Sequence, residues 1–123
     1  MEADAAPGLR VRGAGGGLTG APGAEILSAL ADPTRWRVLE LIAERGEGTA
    51  TTLAGELPVS RVAVVKHLAV LDRAGLVEGR RAGREVRYTV RTERLDETAR
   101  WMAGLATRWD ARLAAIKRIA EGA

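Results

Sequence analysis

Basic side chains that could bind an anion are concentrated in one short part of this 123-residue chain. Residues 61–94 hold 9 Lys and Arg against 4 Asp and Glu, whereas residues 1–60 hold 5 against 8 and residues 95–123 hold 5 against 4. Three arginines, Arg80, Arg81 and Arg84, crowd into the stretch RRAGR. Like charges this close repel one another, so the pattern predicts a negatively charged partner for this segment.

The residue types needed for most enzymatic or metal chemistry are missing. The chain has no Cys, which excludes disulfides, thiolate metal sites and cysteine nucleophiles, and His67 is its one histidine. A single histidine cannot build a zinc site, and no nucleophile is paired with it. The glycines between positions 13 and 17 follow no strand pattern, so they do not form a dinucleotide-binding loop. We therefore expect no metal, no cofactor and no enzymatic activity.

A helix positions the first of the basic residues. The segment SRVAVVKHLAVLDRAG, residues 60–75, has an apolar stripe at helical spacing formed by Val64, Leu68 and Leu71. The opposite face carries two valines, Val62 and Val65, beside basic residues such as Lys66. A purely solvated face would carry Glu, Lys and Gln instead. The valines on this face could pack against a neighbouring helix, or they could contact a partner molecule.

Helix-capping and helix-terminating residues predict the helices before this one. In DPTRWRVLELIAERG, Asp32 can cap the helix, Pro33 suits its first position and Gly46 can end it. AEILSALAD is a short amphipathic helix before it, and TATTLAGELP is a short helix that should end before Pro58. With Ser60 as the cap of the next helix, after a link of about 3–4 residues, the pattern is a helix-turn-helix.

After Gly75 the period changes to that of a β-hairpin. Val86, Tyr88 and Val90 alternate with polar residues, and Gly83 can supply the turn. The last segment, TERLDETARWMAGLATRWDARLAAIKRIAE, is a long helix with an apolar stripe that the preceding domain is too small to cover. A second copy of the chain is the simplest cover. Because Phe is absent, the aliphatic residues and the three Trp are expected to form the interior.

Residues 1–23, rich in Gly and Ala, are predicted to be a disordered tail, and residues 24–121 one domain. No apolar run is long enough for a transmembrane helix, and no secretory signal is apparent. The absence of Cys fits a reducing cytoplasm.

Three motifs together resemble the ArsR/SmtB-like winged-helix repressors: LADPTRWRVLELI, LPVSRVAVVKHLAVLDRAGLV and RRAGREVRYTV. The resemblance covers about residues 24–121, and the last helix is similar to that of the SRPBCC-associated subgroup. It implies a mainly α (α+β) winged helix-turn-helix fold with a two-stranded wing, 76–90, and a recognition helix, 60–74. It also implies a cytoplasmic homodimer that binds an imperfect palindromic operator in double-stranded DNA and represses transcription.

Site residues follow from the resemblance. The predicted DNA contacts are Ser60, Arg61, Val62, Val65, Lys66, His67, Arg80, Arg81 and Arg84. The first and last helices form the dimer interface in the family, which here implies Ile26, Leu27, Leu30, Met102, Leu105, Trp109, Leu113 and Ile116. Val65 replaces the Ser that the family commonly has before its basic–His pair. The cysteine positions of metal-sensing members fall near Thr49 and Thr51, which ligate metals poorly.

Some roles stay open at this level. His67 could form a structural hydrogen bond or contact a phosphate, and Arg35 could bind a phosphate or an internal carboxylate. The arginine tip could be a solvated turn or a contact to phosphate or the minor groove. A winged-helix module that binds proteins and has lost DNA binding is the alternative function. A small-molecule or protein effector is conceivable, but the sequence does not identify one.

Overall fold

Five helices and one hairpin make up the computed structural model, which describes residues 23–122. In chain order the elements are α1 (Ala24–Leu30), α2 (Pro33–Arg45), α3 (Ala50–Ala54), α4 (Arg61–Arg73), β1 (Val77–Ala82), β2 (Glu85–Val90) and α5 (Glu93–Gly122). The mainly helical fold with a two-stranded wing and a long last helix confirms the predicted fold class. Of the predicted disordered tail, residues 1–23, all but Gly23 lie outside the described residues.

Helix α2 begins and ends at the residues that the sequence indicates. The Asp32 carboxylate accepts the backbone N–H groups of Thr34 at 2.9 Å and Arg35 at 3.0 Å, and Pro33 occupies the first turn. Gly46 ends the helix with φ of 87°, a left-handed conformation that glycine adopts without steric cost. These caps set the length of α2 and hence the position of its buried face.

Helix α3 is shorter than predicted. It begins at a reciprocal cap between Thr49 and Thr52 and ends at Ala54, so that residues 55–60, rather than 3–4 residues, join it to α4. Gly55 supplies the physical reason, because glycine is a poor helix former and leaves the chain free to turn well before Pro58. The helix-turn-helix is confirmed, with a longer turn.

The core is aliphatic. Its fully buried side chains come from α1, α2, α4 and the start of the wing: Ile26, Val38, Leu41, Ile42, Val64, Leu68, Leu71, Leu76 and Val77. The expectation that the tryptophans build the interior was wrong, since Trp36 and Trp109 are exposed and Trp101 is half-buried. A small core between short helices is filled by branched aliphatic side chains at close packing density, which leaves little room for an indole.

The wing is an antiparallel hairpin with a turn at Gly83, whose φ is 67°. Its base pairs Val77 with Val90 beside the core. On its outer side, β2 exchanges two backbone hydrogen bonds between Tyr88 and Gly48, at 2.8 and 3.0 Å. The loop before α3 therefore holds the wing in place relative to the helix-turn-helix.

Helix α5 has 30 residues and so spans about 45 Å. Only its first part packs on the domain, where Thr98 is buried and Trp101 is half-buried beside the start of α1. From residue 106 to residue 122 every position except Ala115 is exposed. None of the helices within residues 23–122 combines the length and apolarity needed to cross a membrane.

Candidate DNA interface

The rotational setting of α4 decides which of its side chains face outward. Ser60 caps the helix, its hydroxyl accepting the N–H of Ala63 at 3.1 Å as predicted. The predicted core stripe of α4 is buried, at 1% exposure or less. Because this stripe is held in the core, Val62 and Val65 are turned outward and remain 63% and 44% exposed. The sequence expectation of two valines on an outer face is confirmed.

Basic residues flank these valines on the outer face of α4. Arg61, Lys66 and Arg73 are all exposed. The Arg61 Nε donates to the hydroxyl oxygen of Thr51 on α3 at 3.1 Å. Sequence reasoning missed this role of Thr51, since a partner ten positions away leaves no local signal. The hydrogen bond restricts the Arg61 side chain before any partner arrives.

The wing arginines do not share one face, which the crowded sequence RRAGR does not reveal. The strand register pairs Arg80 with Arg87 and Arg81 with Val86. Successive side chains of a strand point to opposite faces, so Arg80 and Arg81 lie on opposite sides of the ribbon. Arg84 lies in the turn itself, and all three wing arginines are exposed. The tip therefore presents cations in several directions.

The basic residues of α4 and of the wing tip differ from other arginines of the wing region in that they form no ion pairs among the described residues. Arg87 lies 3.6 Å from Glu47, and Arg91 lies 3.5 Å from Glu78, so cations toward the base of the wing are neutralised. Within residues 23–122, no carboxylate oxygen lies within 4 Å of the basic nitrogens of Arg61, Lys66, Arg73, Arg80, Arg81 or Arg84. The outer face of α4 and the tip of the wing thus carry uncompensated positive charge.

His67 and Arg35 lie beside this face rather than on it. His67 is half-buried, and its Nδ1 lies 3.4 Å from the Arg35 guanidinium. The other Arg35 nitrogens bind the backbone carbonyls of Ala29 at 2.6 Å and Ser28 at 3.4 Å. Of the two sequence alternatives for Arg35, the internal carboxylate is wrong: the partners in the structure are main-chain oxygens. A hydrogen bond of His67 within the chain matches one of its two predicted roles.

The capping carboxylate at the start of α2, Asp32, has a shifted pKa. The backbone N–H of Arg35 lowers the pKa of the Asp32 carboxyl below its ordinary 3.8, and the backbone N–H of Thr34 and the charge of the Arg35 guanidinium act in the same direction. Partial desolvation opposes them. The carboxylate is therefore ionised and hydrogen-bonded wherever the fold is used near neutral pH.

Residues in the predicted dimer interface fall into two groups. Ile26, predicted at the interface, is 1% exposed and belongs to the core of its own chain, so the inner face of α1 is covered within the protomer. Leu30 also packs against the core, whereas Leu27 is exposed. On α5 the exposed apolar residues form a stripe, here called the α5 stripe: Met102, Trp109, Leu113, Ile116 and Ile119. Leu105 is half-buried beside it.

Two exposed apolar residues were missed from the sequence. Ile119 is 72% exposed and continues the α5 stripe one turn beyond Ile116, a position that helical spacing would have found. Trp36 on α2 is 49% exposed; it lies two residues before Val38, about 160° around the helix from that core residue, so helical spacing would have found this position too.

The positions that align with metal-sensing cysteines serve the fold. Thr49 caps α3, and Thr51 accepts the hydrogen bond from Arg61. Within the described residues, no three His, Asp or Glu side chains converge in a group that could hold a metal ion.

Comparison with known proteins agrees with this geometry. A family model described as a helix-turn-helix domain matches residues 30–80. The solved structure of an ArsR-like transcriptional regulator from Rhodococcus sp. RHA1 is 45% identical and covers 80% of this chain and 92% of its own, with a TM-score of 0.72. The transcriptional repressor SdpR of Bacillus subtilis is 28% identical over 85 residues, which span 69% of this chain and 93% of SdpR.

A further relative points to the same family. The transcriptional repressor SmtB homolog of Synechocystis is 43% identical over 67 residues, 54% of this chain and 50% of the relative. These proteins are transcriptional regulators and not enzymes. From its helix-turn-helix, its basic wing and these relatives, the chain belongs to the ArsR/SmtB family of DNA-binding transcriptional regulators.

Proposed function

We propose that the protein is a homodimeric repressor that binds an imperfect palindromic operator. Helix α4 enters the major groove, and the wing contacts phosphate or the minor groove beside it. The observation that carries this proposal is the uncompensated positive charge on α4 and the wing tip, beside two exposed valines.

Specific binding is attributed to the first two turns of α4. Early residues of the second helix reach base edges in helix-turn-helix proteins. Arg61 and Lys66 are long enough to pair with guanine, and Val62 and Val65 offer methyl groups to thymine. Val65 takes the place of a family Ser, so an apolar contact replaces a polar one at that point of the groove.

Dimerisation is attributed mainly to α5. The α5 stripe lies on a part of the helix that extends beyond the domain, so no other described element covers it. Large exposed apolar faces are typical of interaction surfaces, and a two-fold dimer would cover each stripe with its copy. Two related α4 helices then require two half-sites, which is why the operator should be palindromic.

Binding-site selection from random duplexes tests the proposal. The wild-type chain should return an imperfect palindrome. Arg61→Ala should cost roughly 1–3 kcal/mol on the selected site and relax the preference at one symmetric pair of positions. Val65→Ser should change the preference at a thymine-containing position.

Arg37→Ala is the matched control, because Arg37 is paired with Glu40 and Glu44 on α2. It should return the wild-type site. Identical base preferences for wild type, Arg61→Ala and Val65→Ser would show that α4 does not read the operator. Failure of the wild-type chain to enrich any duplex would favour the protein-binding module instead.

A further inference from the structure

Arg35 joins three elements of the fold through one side chain. It lies in the first turn of α2, and its guanidinium binds the carbonyl oxygens of Ala29 and Ser28, at the C-terminal end of α1. The last carbonyls of a helix lack their usual α-helical partners, so the Ala29 oxygen is available to an outside donor, whereas the Ser28 oxygen also accepts the N–H of Ala31 at 3.2 Å. The third contact, 3.4 Å long, reaches Nδ1 of His67 on α4.

The chemistry of the two side chains determines the state of the imidazole. A guanidinium has only donors, and it stays protonated at any pH that the fold experiences. A hydrogen bond between the two side chains therefore requires Nδ1 of His67 to be the acceptor, which means a neutral ring that carries its proton on Nε2. The other charged group beside this pair is the carboxylate of Asp32, which is held by backbone N–H groups of α2.

We propose that Arg35 is a positioning residue for DNA binding: it ties His67, and with it the recognition helix α4, to the end of α1. The inference rests on the proposed function, because it assigns to Arg35 a part in presenting α4 to DNA. It differs from a direct phosphate contact, since three of the five N–H donors of Arg35 are already engaged by the chain itself.

The tautomer is the first test, and it needs no DNA. His67 is the one histidine of the chain, so its ring nitrogens are identified in an NMR spectrum of the full-length protein without assignment. The wild type should show the Nε2–H tautomer. Arg35→Met, which keeps an unbranched apolar stem but removes every donor, should raise the share of the Nδ1–H form. A wild-type ring in the Nδ1–H form would overturn the inference.

Paired variants of His67 provide the second test. Asn places a side-chain oxygen near the position of Nδ1, whereas Leu offers no acceptor. On the selected operator, at a temperature at which every variant is folded, His67→Asn should bind within about threefold of wild type and His67→Leu about tenfold more weakly. Equal affinities for the Asn and Leu variants would overturn the inference.

Coupling between the two residues is the third test. Arg35→Met alone should weaken binding about as much as His67→Leu, and the double variant should be no weaker than either, since each change alone already breaks the link between α1 and His67. Additive losses would refute the tie. If Arg35→Met does not fold, the two His67 variants and the wild-type tautomer decide the question.

Salt dependence distinguishes positioning from direct contact. Removing a cation that contacts phosphate lowers the slope of log K against log salt by about 0.9. Arg35→Met should leave this slope unchanged, and a fall of about one unit would mean that Arg35 binds DNA directly. Arg45→Met is the control on the same helix, because Arg45 pairs with Glu56 away from α1 and α4. A wild-type chain that selects no DNA refutes the proposed function. The tautomer measurement needs no DNA, so its result does not depend on that function.

Discussion

Truncation of one exposed leucine on α5 should weaken the dimer by a calculable amount. Leu113 leaves 63% of its surface exposed in the protomer. Leu113→Ala removes three carbons, each worth about 0.8 kcal/mol on full burial, so burying the exposed fraction accounts for about 1.5 kcal/mol per protomer. The residue occurs twice in a two-fold dimer, which gives about 3 kcal/mol, or roughly a hundredfold in Kd.

Sedimentation equilibrium of the full-length chain measures this dissociation constant. Alanine is the strongest helix former, so the variant should keep the helical circular dichroism of the wild type. Arg118→Ala is the matched control, because Arg118 is five residues further along and therefore lies on the far side of the helix. It should dimerise like the wild type.

Two results would refute the reasoning. One is a Leu113→Ala variant that associates as tightly as wild type, which would place the interface elsewhere. The other is a wild-type chain that stays monomeric at high concentration. A loss well above a hundredfold would agree with the reasoning, since an unfilled cavity between the helices adds to the transfer free energy.

Three further predictions concern the wing, the cap of α2 and metals. Replacing Arg80 and Arg81 together by Ala should weaken binding to all duplexes alike and flatten the slope of log K against log salt by about one to two units. Arg87→Ala is the control, because Arg87 is already paired with a carboxylate. An unchanged slope in the double variant would mean that the wing does not touch phosphate. Because the backbone N–H of Arg35 lowers the pKa of Asp32 below its ordinary 3.8, the ionised cap stabilises the fold above that pH and is lost as the pH falls through the lower folded-state value. Asp32→Asn caps without titrating, so its urea midpoint should fall less than that of wild type between about pH 6 and about pH 3; equal falls would contradict this assignment. Operator affinity should be the same with a chelator as with zinc, nickel or cadmium, since the chain has no Cys and one His; a loss of about tenfold with stoichiometric metal would count against it.

Local structure was predictable because its causes are local. Asp32, Gly46, Ser60 and Gly83 each act within three or four residues, through a cap or a positive φ, and the structure shows each of them in the predicted role. The one boundary error, at the end of α3, has the same local nature: the glycine that ends the helix comes three residues before the proline.

Periodicity identified apolar faces but not what covers them. The stripes of α1 and α5 look alike in sequence, yet Ile26 is enclosed by its own protomer while Leu113 is exposed. Which of the two happens depends on whether another element is within reach, and that is a property of the packed domain. Composition placed the tryptophans in the interior because Phe is absent, although Trp36 and Trp109 are exposed.

The sequence by itself determined the helix-turn-helix, the basic wing and the outward valines of α4, because caps, turns and amphipathic periods are encoded in neighbouring residues. Only the tertiary structure decided the partners of the long side chains: Arg35 with His67, 32 residues apart, and Arg61 with Thr51, ten apart. Such contacts depend on the angles at which helices pack, and a guanidinium reaches whichever acceptor those angles bring within about 3 Å. The same holds for the wing, where the strand register sets Arg80 opposite Arg87 and Arg81 opposite Val86.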